Sequence, residues 1–79
     1  EFDFNVFPNP FDDYTNIHVN NPHEKLYDVY LYDLKGKLIK SIKDQNKEVI
    51  QLRKEFSSGV YHLQIITTNS NKRKLIVVE

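Results

Sequence analysis

The sequence predicts an all-β fold, with seven short antiparallel strands stacked as a two-layered sandwich. Three observations carry that expectation. Val, Ile and Thr together number 17 of the 79 residues and Phe plus Tyr number 10, and these side chains suit a pleated sheet surface. Alanine is absent, and no stretch sustains an apolar i, i+3, i+4, i+7 pattern over two turns. Alternating apolar and polar residues recur instead in short runs, punctuated by Asn, Asp, Gly and Pro. Seven such runs in a chain this small bury their apolar faces best as two layers.

Phe4 to Phe7 is the first run, stopped by Pro8-Asn9-Pro10. Two prolines within three residues forbid a central strand there, so this end belongs at an edge. In the second, Thr15, Ile17 and Val19 alternate with Asn16, His18 and Asn20, ending at Asn21-Pro22. The third sets Tyr27, Val29 and Leu31 against Asp28, Tyr30 and Tyr32. Asp33-Leu34-Lys35-Gly36 then forms a tight hairpin loop, with Asp33 opening the turn and Gly36 taking the positive φ. Lys37 to Lys43 returns, and Asp44-Gln45-Asn46-Lys47 turns into a strand over Glu48 to Leu52. The window Asp44 to Phe56 is the best helical rival because Gln, Lys, Glu and Arg are good helix formers. Uncapped Val49-Ile50 favours the strand. Arg53 to Ser58 is irregular, with Phe56 as an apolar plug. Val60 to Thr68 is the longest strand, with Tyr61, Leu63 and Ile65 inward and His62 and Gln64 outward. A turn over Thr68 to Asn71 leads into Lys72 to Val78.

Composition narrows function. Lys plus Arg and Asp plus Glu each number 11, giving zero formal charge. General nucleic-acid and anionic-membrane binders need a clustered positive surplus. Cysteine is absent, so there is no disulfide and no thiolate chemistry. Methionine is absent too, which suggests a piece of a longer product. Glu1-Phe2 has the look of a cloning scar, and residues 1–5 are expected to be linker ahead of a single domain. No apolar run approaches the ~20 residues that span a bilayer, and no charged-then-apolar leader opens the chain.

Catalytic groupings are missing. Ser41, Ser57, Ser58 and Ser70 lie outside any G-x-S-x-G elbow, and Ser57-Ser58-Gly59 suits a turn. His18, His23 and His62 lack the close spacing of zinc ligands and are expected at the surface. Asp12-Asp13 could offer oxygen ligands to calcium, but local turn hydrogen bonding is the stronger expectation. Tyr14, Tyr30 and Tyr32 face outward and could pack locally, meet a partner or stack on sugar rings. Lys72-Arg73-Lys74 guards the apolar Leu75-Ile76-Val77-Val78 run. No metal or cofactor is expected.

Four motifs stand in fixed order: Phe7-Pro8-Asn9-Pro10-Phe11, Leu31 to Ile39 around Asp33-Leu34-Lys35-Gly36-Lys37, Ser57 to Ile65 around Gly59-Val60-Tyr61, and Lys72 to Val78. Each is weak alone. Together, from about Val6 to Glu79, they resemble the type A C-terminal sorting domain of the type IX secretion system of Bacteroidetes. The resemblance implies a seven-stranded immunoglobulin-like sandwich without catalysis, covalently preceded by a cargo domain. It implies transit through the periplasm, export by the outer-membrane translocon with its shuttle protein, and arrival at the cell surface or medium. A sortase-like peptidase then commonly removes the domain and joins the cargo to surface lipopolysaccharide. The family's essential end maps onto Lys72, Lys74, Leu75, Val77 and Val78. Its Pro-Asn-Pro maps onto Pro8, Asn9 and Pro10, its hairpin onto Asp33 and Gly36, and its Gly-x-Tyr onto Gly59 and Tyr61. Phe7 stands where the family more often has Tyr, and Glu79 where Lys or a small residue is frequent.

Physical chemistry gives several of these residues structural roles. Gly59 suits a positive φ or a tight turn into its strand, and Tyr61 is expected in the core with its hydroxyl on a backbone partner. Pro8 and Pro10 block edge pairing. The backbone of a terminal strand offers hydrogen bonds to a partner strand, with alternate side chains supplying specificity, and also invites edge-strand dimers. Two other classes compete: a carbohydrate-binding or adhesin-type sandwich using the tyrosines, and a structural immunoglobulin-like spacer.

Overall fold

A computed structural model describes residues 2–21 and 24–79; the expectations for His23 and Pro22 lie outside the described residues. The described residues form seven strands and no helix: β1 (Asp3–Phe7), β2 (Tyr14–Asn20), β3 (Tyr27–Asp33), β4 (Leu38–Gln45), β5 (Val49–Arg53), β6 (Gly59–Ile66) and β7 (Asn71–Val78). One sheet has the order β1-β2-β5 and the other β4-β3-β6-β7, with antiparallel ladders throughout. This is an immunoglobulin-like arrangement, in which β2 to β3, β4 to β5 and β5 to β6 cross between layers.

Alternation places the core. Ile17 and Val19 of β2, Ile50 and Leu52 of β5, and Phe4 of β1 face Val29 and Leu31 of β3, Leu63 and Ile65 of β6, and Ile76 and Val78 of β7; all are buried. Phe4 is 1% exposed, so β1 is packed into the sandwich from its second residue. Burying one such aromatic is worth roughly 1.5–3 kcal/mol. Thr15, also buried, donates its hydroxyl to the Pro8 carbonyl at 2.6 Å, which satisfies a polar atom the core could not otherwise hold.

Two local features differ from the alternation pattern. Gln64 is on the outward side of β6 but is only 7% exposed. It sits between Tyr30 and Arg73 across the ladders, and its side-chain amide donates to Asn71 Oδ1 at 2.8 Å. A central strand is covered by its neighbours even on the solvent face. β4 runs on through Asp44 and Gln45, which the sequence pattern assigned to a turn. The extension is possible because Asp44 takes a φ of 56° beside a register shift, while its N–H donates to Asp28 Oδ1 at 2.9 Å. Aspartate tolerates that left-handed conformation better than most residues.

The β3–β4 turn forms as its residues dictate. Gly36 has φ 87° and its N–H donates to the Asp33 carbonyl at 3.0 Å. Asp33 Oδ1 accepts from the N–H groups of Lys35 and Lys37, both at 2.9 Å. Before β6, Phe56 lies edge-on to Tyr61 at 5.0 Å between ring centroids, and the Tyr61 hydroxyl donates to the Ser57 carbonyl at 2.6 Å.

Candidate functional site

The expected recognition residues all lie on or beside β7, and alternation sorts them. Ile76 and Val78 point into the core, while Leu75 and Val77 point outward, 55% and 37% exposed. Val78 is 2% exposed, so its side chain holds the strand in place. Lys72 and Lys74 share the inward phase but stand at the open end, half-buried. Lys74 Nζ lies 5.3 Å from the Phe4 ring centroid and donates to Asn5 Oδ1 at 3.1 Å. Cation and ring attract through the ring quadrupole.

One edge of β7 pairs with β6 along its full length, from Asn71↔Ile66 to Val78↔Gly59. The other edge would be unpaired by sheet order alone, but the Pro-Asn-Pro segment lies along it. Asn9 Oδ1 accepts from the Val77 N–H at 2.9 Å, and its Nδ2 donates to the Leu75 carbonyl at 3.4 Å. The Phe11 N–H donates to the Val77 carbonyl at 3.1 Å, and the Glu79 N–H donates to the Phe11 carbonyl at 2.8 Å. Phe11 thereby forms a parallel bridge with Val78 and is itself buried. Four consecutive outward-facing peptide groups are thus engaged, two by a side-chain amide that imitates a peptide and two by backbone. We call Pro8 to Phe11 the strap; the peptide bonds preceding Pro8 and Pro10 are both cis. Lys54 completes the end, donating from Nζ to the Glu79 carbonyl at 2.6 Å and from its N–H to the Asp13 carbonyl at 2.8 Å.

The Pro-Asn-Pro segment and the end of β7, 66 residues apart, are therefore one physical unit, and the start of β6 supports it. Gly59, with φ 152°, opens β6 opposite Val78, and Tyr61 is buried beneath it against Phe56. Asp33 and Gly36 serve the hairpin at the far side of the sheet. Phe11, Lys54 and Asn5 are the partners that sequence reasoning missed as site residues. Their contacts bridge distant segments, and no local spacing announces them.

The remaining candidates scatter. Tyr14 is on the outer face of the first sheet, whereas Tyr30 and Tyr32 are 6.3 Å apart on the outer face of the second. Ser57 offers its carbonyl to Tyr61, and Ser58 Oγ meets Lys54 Nζ at 3.2 Å. Asp13 stands 3.8 Å from Arg53. Among the described residues no three His, Asp or Glu side chains converge as a metal site would require.

The family model described as a secretion system C-terminal sorting domain matches residues 5–79. The chain belongs to that family. No curated protein matches it. Domains of this family are the C-terminal sorting signals of type IX secretion cargo, which favours the sorting reading over a carbohydrate-binding or adhesin module. The match begins within β1 and takes in the strap, the β3–β4 hairpin and all of β7. A sorting domain is handled by the type IX system on the way to the surface or the medium, and such domains are generally non-catalytic.

Proposed function

We propose that this sorting domain is recognised through β7 as held by its strap, with Leu75 and Val77 as the contacted side chains. Lys72 and Lys74 would set the rim and Val78 the register. The observation that carries this reading is that the end of the strand, from Leu75 on, has its backbone engaged on both edges while its two outward apolar side chains stay in water. Apolar groups kept exposed on an otherwise well-packed strand mark a contact surface. Its partners would be the outer-membrane translocon, the shuttle protein and the sortase-like peptidase, with a cargo domain ahead of residue 1. Folding in the periplasm, removal of the domain and joining of the cargo to surface lipopolysaccharide complete the proposal. The domain would act as an address with no chemistry of its own.

An export assay tests it. Residues 1–79 follow a signal peptide and a fluorescent reporter in a Bacteroidetes host, with and without an intact translocon. Reporter should leave the cell only with the translocon, and Val77→Asp or Lys74→Asp should trap it in the periplasm with the domain still protease-resistant. Loss of protease resistance in those variants would make the residues structural instead.

A further inference from the structure

The strap has a consequence for how a partner can engage β7. Strand addition needs a row of free peptide groups, and from the Leu75 carbonyl to the Glu79 N–H that row is already occupied. The side chains on the outer face of the same sheet are not. Cross-strand pairing sets Leu38 beside Tyr32, Tyr32 beside His62, and His62 beside Leu75. The next row sets Val60 beside Val77. Leu38 is 48% exposed and Val60 37%, so the two exposed apolar residues of β7 continue into a patch that crosses all four strands.

Two cations border this patch, and they are not tied to the carboxylates that flank it. Arg73 lies 6.0 Å from the Tyr32 ring centroid and Lys43 6.0 Å from that of Tyr30. Neither has a carboxylate at ion-pair distance among the described residues. The flanking carboxylates are engaged internally: Asp28 accepts from the Asp44 N–H, and Asp33 from those of Lys35 and Lys37. Two cations are too few for a nucleic acid or an anionic membrane, but they suit a protein surface with an apolar centre and a carboxylate rim.

Resting on the sorting reading and deepening it, we infer that the secretion machinery binds the outer face of the four-stranded sheet, Leu38 through Leu75 with Val60 and Val77, using an apolar surface rimmed by carboxylates, and does not add a strand to β7. Leu38 is the decisive residue, because it lies on β4, three strands across the sheet from the terminal strand.

The reporter fusion described above tests this with Leu38→Glu, Val60→Glu, Arg73→Glu and Arg73→Lys, the melting temperature of each 79-residue domain being measured alongside. Should Val60→Glu melt early, Val60→Thr replaces it. Leu38→Glu and Val60→Glu are expected to lower translocon-dependent export at least tenfold with melting unchanged; Arg73→Glu should lower it and Arg73→Lys restore it. Full export of Leu38→Glu and Val60→Glu, with Val77→Asp still trapped, would overturn the face while leaving the sorting reading intact. A wild-type reporter that leaves the cell without the translocon would instead overturn the sorting reading itself. Size exclusion supplies the last arm: a wild-type dimer that Leu38→Glu splits without loss of export would make the face a contact between copies of this chain and overturn the proposal.

Discussion

Asn9 shows how much one side chain can carry. Its amide presents an acceptor and a donor in the geometry of a peptide bond, so it can stand in for a strand residue where Pro8 and Pro10 have no N–H to give. Asn9→Ala should cost about 1–2 kcal/mol, because the Val77 N–H and Leu75 carbonyl each lose a partner at an edge open to water. Amide exchange monitored by NMR should show the Val77 N–H losing protection while the β6-facing amide of Ile76 keeps its own. Tyr27 is a second informative residue. Its hydroxyl donates to the Lys47 carbonyl, and burial raises the phenol above its ordinary value of 10.0. The folded state disfavours the phenolate, so stability is intact below pH 10 and falls as pH rises from there toward the higher folded value. Tyr27→Phe should be less stable at neutral pH by about 1 kcal/mol, and its melting temperature should decline less above pH 10 in an alkaline titration.

Within single elements, period-two alternation was legible and correct in phase for β2, β3, β5 and β6, because a half-buried strand must alternate, whereas β4 breaks it, with Ile39 and Ile42 both packed on the core across a shifted register. Its failures came where a neighbour altered exposure. Gln64 keeps the outward phase and is buried all the same, since Tyr30 and Arg73 close over a central strand. β4 overran its expected end because the Asp28 carboxylate holds the Asp44 backbone, a contact across the ladder that no count along the chain exposes. The Asp33 hairpin was legible in full, since its hydrogen bonds close within five residues. Asp33→Ala should remove two of them and lower the melting temperature by about 4–8 °C per kcal/mol lost, with the largest chemical-shift changes confined to β3, β4 and the loop.

Across the whole molecule the chain's two ends depend on one another. Phe4 packs in the core and Asn5 accepts from Lys74, so the first strand contributes to the seat of the last. Phe4→Ala should cost about 3–5 kcal/mol, a large share of the stability of a domain this small. Removing residues 75–79 deletes Ile76 and Val78 and leaves the strap without a strand to lie on; circular dichroism should show loss of the cooperative transition. The sandwich itself was legible because it follows from strand number and size. The strap was not, since Asn9 and Val77 are 68 residues apart and nothing in either segment's own pattern names the other.

The parallel bridge between Phe11 and Val78 also has a mechanical meaning. A load attached before residue 1 and a grip on the terminal strand pull these two segments along their common axis in opposite directions. The strap's bonds from Asn9 and Phe11 then bear tension together, in shear, where an antiparallel end pair would unzip one bond at a time. Resistance to such tension is set by the rate of unfolding under load. The contact that seals the strand's edge also lies on the shortest load path between the domain's two ends.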